Sequence, residues 1–300
     1  MYEQLSAKKF FIGKLKEKAV DFGLVKNRKI FLTKKAILLK NIGSNEVLKQ
    51  VYAYGWMGYE PELSRFICHY NYKIDAFVDG GANVGYYSVL FSETHPNVET
   101  LAIEALDRNV EYMENLKQDN DCAITIIHKA IDNQDDNIVQ LFIPKNIGKS
   151  SLSTIGSIVQ DFRTKSELYR HIDYEVKEVE TVTLVTLLDA KQTALVKLDI
   201  EGNELNVLQY SLSRITDKDI DFILEIMIND DDKGALFELM SHFGYSGYLI
   251  TNASLVREDR ALTLPYPYRH DRTLWKNHYF TKKSTEEIEK LSKEIYGYFL

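Results

Sequence analysis

Cysteine is scarce: Cys68 and Cys122 are the only two in 300 residues. There is no CxxC pair and no Cys/His cluster at ligand spacing, which excludes a disulfide framework and a zinc site. Proline is sparse at 5 and glycine stands at 15; neither is gathered into tracts, so low-complexity and collagen-like chains are excluded as well. No stretch approaches the roughly 20 apolar residues of a bilayer span, AILL at 36–39 being far too short, and the amino terminus has no apolar run of signal-peptide length. The expected location is the cytoplasm. What is present is ordinary for a soluble globular protein: 45% apolar and 27% charged residues, in a chain long enough to bury a substantial core.

Charge is unevenly spread. Residues 1–40 carry 11 lysines and arginines against Glu3, Glu17 and Asp21, a surplus of +8, which leaves −15 for the other 260 residues if the total is −7. Leu5, Phe11, Leu15 and Phe22 fall roughly one face apart among Lys8, Lys9, Lys14, Lys16 and Lys18. A basic amphipathic segment of this kind suits anionic lipid, a phosphorylated substrate, or the acidic body of a neighbouring subunit in a homo-oligomer; its ordinary role is a solvated helix covering the core. The net charge speaks against nucleic acid as a partner.

From residue 74 apolar runs of strand length alternate with segments of helical period, as in an α/β protein with a Rossmann-like, doubly wound, mostly parallel sheet. Strands are expected at IDAFVD, VETLAIEA, AITIIHKAI, ALVKLDI, DFILEI and GYLIT, with helices near 84–94, 107–118, 203–211 and 233–243. Two insertions interrupt the alternation. NIVQLFIP reads as an extra strand leading into the polar loop KNIGKSSLSTIG, and YEVKEVETVTLVTLLD as a strand or hairpin running into a short helix. Residues 1–73 read as a cap, 74–256 as the core, and 257–300 as a strand and helix that complete it. Within the cap, the aromatic stretch VYAYGWMGYEPEL (51–63) is the part expected to approach a site.

FVDGGANVG (77–85) places a glycine loop between a strand and a helix, the context in which such a loop meets a nucleotide. Glu104 ends the next strand about 20 residues on, where an acid can accept both hydroxyls of a ribose. Asp79 at the loop's mouth would repel a pyrophosphate and attract a cation. The pattern therefore points to a cationic adenosine without phosphate, which describes S-adenosylmethionine.

FVDGGANVGYYSVLF, AIEALDRNVEYMENL, KAI at 129–131 and above all LVKLDIEGNELNVL at 195–208 resemble the FkbM family of S-adenosylmethionine-dependent methyltransferases, whose fold is the class I methyltransferase sheet. The resemblance spans about residues 74–230. It implies that Asp79, Gly81, Ala82, Asn83 and Gly85 line the cofactor, with Glu104 on the ribose, Ala105 beside it, and Ala130 and Ile131 near the adenine. It also implies a sugar acceptor, on a surface glycan or a glycosylated metabolite.

KLDIEGNE sets Lys197, Asp199, Glu201 and Glu204 at the carboxyl end of a strand and the start of a helix, where open sheets bind ligands. An alcohol that attacks a methyl group must lose a proton, so a base is needed; Asp199 and Glu201 are the leading candidates, with Glu225 after FILEI next. A structural network, Lys197 neutralising Asp199 and Glu204 capping its helix, carries equal weight. His128, His270 and His278 rank below the carboxylates because no spacing ties them to the loop. The same carboxylates suit magnesium or calcium, a lesser reading; no metal is assigned. Serines in GKSSLS (148–153) suit a polyhydroxylated acceptor. Two other classes remain open on the sequence: a nicotinamide oxidoreductase, and a noncatalytic binding module that uses the basic cap.

Overall fold

The computed structural model describes residues 7–32, 35–144, 157–158, 174–226, 233–258 and 277–297. The cap begins with helix α1 (Ala7–Asp21), followed by the hairpin β1 (Arg28–Leu32) and β2 (Lys35–Leu39), then α2 (Glu46–Tyr54) and α3 (Pro61–His69). The core runs β3 (Ala76–Gly80), α4 (Tyr86–Thr94), β4 (Glu99–Glu104), α5 (Asp107–Asn120), β5 (Thr125–His128), β6 (Ala130–Ile131), β7 (Ile138–Pro144), β8 (Tyr174–Val182) and a short α6 (Leu184–Leu187). It continues through β9 (Thr193–Leu198), α7 (Glu204–Ser211), β10 (Asp219–Glu225), α8 (Lys233–His242), β11 (Ser246–Ile250) and β12 (Leu255–Arg257), and ends with β13 (Asn277–Thr281) and α9 (Thr285–Tyr296).

Eight strands form the main sheet in the order β12-β11-β13-β10-β9-β3-β4-β5. The five from β10 to β5 are mutually parallel, while β13 is antiparallel to both β10 and β11. β4 and β5 build outward from one side of β3, and the chain then returns to lay β9 on its other side. The order therefore reverses between β3 and β9, and in open sheets the crevice beyond the strand ends at such a point is where ligands bind.

The strands are apolar on both faces, as sheets covered on both sides are. Phe77, Leu195 and Ile223 pack with cap residues such as Leu63, Phe66 and Ile67 and with α4; Val78, Val196 and Phe222 pack with α6, α7 and α8. One sequence expectation is altered. AITIIHKAI is not one strand: it breaks at Lys129, β5 staying in the main sheet while β6 pairs with β8 in a separate three-stranded sheet. The carboxyl-terminal strand lies inside the main sheet, between β10 and β11. GKSSLS and His270 lie outside the described residues.

Candidate active site

A cavity of about 300 Å³ opens at the switch point. Gly81 and Asn83 of the glycine loop form one wall, and Ile103, Glu104, Ala105, Leu106 and Asn109 form the next. Lys129, Ala130, Ile131, Leu141 and Ile158 close the far side; Asp199, Ile200, Glu201 and Glu225 supply the acidic end. Glu46, Val47 and Tyr59 come down from the cap. Nine of the twelve residues expected at the site thus share one space. Asp79, Ala82 and Gly85 do not line it.

Four N–H groups of the glycine loop are bonded within the fold. Gly81 and Ala82 both donate to the Ile103 carbonyl at 3.0 Å, and Gly85 donates to the Ala82 carbonyl at 2.8 Å. The Asn83 N–H donates to Glu104 Oε2 at 2.7 Å. A pyrophosphate cradle needs such N–H groups turned outward, and these four are not. Gly81 is at φ +73°, and a Cβ there would stand 1.9 Å from the Asp199 carbonyl oxygen. Loop and β9 end therefore touch backbone to backbone. The cap locks the arrangement: Asn45 accepts from Val47 N–H at 2.8 Å as the N-cap of α2 and donates to Asn83 Oδ1 at 3.0 Å.

Glu104, 7% exposed, takes Asn83 N–H on one oxygen and Leu106 N–H on the other at 2.8 Å. Burial pushes its carboxyl up to about 7, although N–H donors oppose this. The Asn109 side chain and the Ala105 N–H also act on this carboxylate, which borders the cavity, so ribose hydroxyls would share it with donors of the fold.

The structure corrects the role given to Asp79. Register places it directly across from Lys197 on β9, on the sheet face covered by α4, and it is wholly buried. It accepts from Ser88 Oγ at 2.7 Å and lies 3.6 Å from Lys197 Nζ, so its charge meets a lysine within the fold instead of a ligand. Asp199 Oδ2 lies 3.3 Å from the same ammonium. Burial opposes the charge on Lys197, but Asp199, Asp79, Glu60 and Glu225 outweigh it and raise its pKa. The field of several carboxylates around one ammonium, and not Asp79 alone, makes this end of the cavity negative.

Glu204 is the helix-start acid of the structural reading. Its oxygens accept from Ile200 N–H at 2.8 Å and Gly202 N–H at 3.0 Å, folding back over the turn in which Glu201 adopts φ +58°. Burial raises its carboxyl to about 7. Ser157 Oγ donates to the Glu201 carbonyl at 2.8 Å, tying this turn to β7 through the Phe142–Ser157 bridge. No histidine lines the cavity among the described residues. His128 contacts the Ala105 carbonyl at 3.2 Å, and His278 contacts Glu258. Burial pushes the thiols of Cys68 and Cys122 up to about 12 and about 11, which leaves them poor nucleophiles. Glu46 and Val47 went unnoticed in the sequence; the one signal was Asn45 ahead of a helical period, an N-cap pattern.

The model of the methyltransferase FkbM domain matches residues 79–246, more than half of the chain. The chain belongs to the FkbM methyltransferase family. Its cofactor is S-adenosylmethionine, and the nicotinamide oxidoreductase reading falls away. No curated protein matches the sequence. Among solved structures, precorrin-6y C5,15-methyltransferase from Geobacter metallireducens is 12% identical with a TM-score of 0.40, over 75% of this chain and 88% of its own. The tRNA (uracil-54, C5)-methyltransferase of Pyrococcus abyssi, in complex with S-adenosyl-L-homocysteine, is 8% identical with a TM-score of 0.42, over 86% of this chain and 44% of its own.

The cavity of this FkbM methyltransferase fits that cofactor in the chemistry of its walls. Ile103, Leu106, Ala130, Ile131 and Leu141 offer an apolar slot for a flat base, Glu104 offers an acceptor for hydroxyls, and the acidic end suits a sulfonium. The inward-turned loop donors disfavour a diphosphate.

Proposed function

We propose that the protein transfers the methyl group of S-adenosylmethionine to a hydroxyl oxygen of a sugar, on a surface glycan or a glycosylated metabolite. The observation that carries this reading is the convergence of Asp199, Glu201 and Glu225, from the ends of β9 and β10, on the cavity that also holds the glycine loop and Glu104. The sugar class rests on the family resemblance, and a carboxylate-lined, partly aromatic cavity is in keeping with it.

When bound, the cofactor supplies a sulfonium-activated methyl group. The chain's own residues do the rest. Glu104 fixes the ribose and Asn83, clamped by Asn45, shapes the loop against it. Asp199 takes the acceptor hydroxyl's proton as the oxygen attacks, general-base help that contributes typically 10²–10⁴-fold. Lys197 holds that carboxylate at 3.3 Å. Glu201 and Glu225 orient the acceptor from either side, and Tyr59 gives it an aromatic face from the cap; positioning of this kind removes much of the entropic barrier.

The test is intact mass of candidate nucleotide sugars and glycans after incubation with labelled cofactor. A gain of about 14 daltons, one CH₂, is expected for a single methylation. Asp199→Asn should abolish turnover while leaving cofactor affinity within about tenfold. Full turnover by that variant would remove Asp199 from the mechanism, and a methylated amine in place of a hydroxyl would overturn the acceptor class.

A further inference from the structure

One surface of the cap takes no part in methyl transfer. Among the described residues eight large apolar side chains are exposed, and six of them lie between positions 11 and 31: Phe11 (64% exposed), Ile12, Leu15, Phe22 (78%), Leu24 and Phe31. α1 meets α2 through its opposite side, where Gly13, Glu17 and Val20 are buried and the ring of Tyr54 lies against Gly13. Phe11, Leu15, Lys18 and Phe22 follow at three- and four-residue intervals, so they share one outward stripe. Lys8, Lys26, Arg28 and Lys29 are exposed in the same stretch of chain.

We propose that this surface seats the protein on an anionic lipid bilayer, its rings and aliphatic chains entering the headgroup boundary while the lysines meet lipid phosphates. Exposed apolar side chains and cations in one segment offer both contacts that an anionic membrane surface makes. A soluble polyanion would satisfy the lysines but leave the rings in water. A second copy is a poorer partner: face on face it would bring like charges together, and elsewhere among its described residues it offers only Ile138 and Val176 as exposed large apolar side chains. No described helix is long and apolar enough to cross a membrane, so the contact is with the surface.

The experiment is co-sedimentation of the full chain with vesicles of phosphatidylcholine alone or mixed with phosphatidylglycerol. Binding to the mixed vesicles should be at least about tenfold tighter and should weaken as salt rises. Phe11→Ser with Phe22→Ser, and separately Lys8→Gln with Lys18→Gln, should each weaken it by about tenfold or more. All four positions are exposed, so the variants should fold, with unchanged circular dichroism and methyl transfer. No binding to the mixed vesicles would overturn the proposal. So would binding that the phenylalanine changes leave intact, which marks simple polyanion attraction, or lipid-free self-association that the same changes abolish, which marks a second copy as the partner.

Discussion

Lys197 is buried to 2% exposure and has Asp79 and Asp199 on either side of its ammonium. Removing one member of a buried ion pair strands the other, at about 3–5 kcal/mol. Lys197→Met should therefore cost that much in a urea titration, because Asp79 would keep only Ser88. Asp79→Asn should cost less, since Lys197 retains Asp199; equal losses would refute the pairing. Titration adds a second expectation. Glu104 and Glu204 have ordinary values of 4.5 and are pushed up to about 7 by burial. Between about pH 4.5 and 7 the folded chain thus binds more protons than the unfolded one, so their contribution to stability is complete below that window and is lost as pH rises through it. Asp75 and Glu287, held low by backbone N–H donors, act the other way only in more acid solution, whereas His95, whose pKa burial lowers, opposes the glutamates inside the window; two glutamates against one histidine leave a net loss of stability as pH rises. The melting temperature should fall from pH 5 to 8. Glu204→Gln should lower it at pH 5, because one of two N–H groups loses its acceptor, yet flatten the slope. Glu104 gives the same sign a functional readout: hydroxyl donors favour the ionised carboxylate, so cofactor binding by calorimetry should tighten through pH 7 and release protons.

The glycine loop works as an element because it is pinned on three sides, by Ile103, by Glu104 and by the β9 end. A Gly81→Ala Cβ would meet backbone 1.9 Å away, in a left-handed conformation besides. Gly23 shares that conformation at φ +71° but has nothing within 4 Å of its would-be Cβ. Gly23→Ala should cost only the backbone penalty, about 1 kcal/mol, whereas Gly81→Ala should cost more and abolish cofactor binding; matching losses would mean that the loop and β9 are not in contact. Asn45→Ala should cost about 1 kcal/mol as a lost N-cap and also weaken cofactor binding by freeing Asn83. Local pattern made much of this legible: the strand cores, the four central helices and the loop's neighbours announce themselves by period, glycine and the strand-terminal acid. What pattern does not carry is which strand lies beside which. Asp79 read alone is a charge awaiting a cation, and only the pairing of β3 with β9 supplies Lys197 as that cation. The turn at Lys129 and the insertion of β13 depend in the same way on contacts far apart in sequence, and Glu46 reaches the cavity only because α2 is folded over it.

At the scale of the molecule, cap and core share their interior. One buried cluster runs from Val20, Ile37, Leu48 and Phe66 in the cap through Phe77, Leu90 and Phe91 in the core to Ile288 and Ile295 of α9. Phe66 lies against Tyr279 of β13 at 4.9 Å between ring centroids, and Asp221 at the far end of β10 takes hydrogen bonds from Tyr70 of the cap and Tyr279 of the tail. Neither terminal segment can leave without uncovering one face of the sheet. The full chain should therefore unfold in a single calorimetric transition, with equal van't Hoff and calorimetric enthalpies, and S-adenosylhomocysteine should move that whole transition upward by linkage. Residues 74–300 alone should bind a hydrophobic dye and aggregate, because the α3-facing surfaces of Tyr86, Tyr87 and Leu90 would lie open to water. A truncated chain that stayed monomeric and melted at the parent temperature would mean that the cap is an independent unit, and the contribution of Glu46, Val47 and Tyr59 to the site would then have to be dispensable to cofactor binding as well.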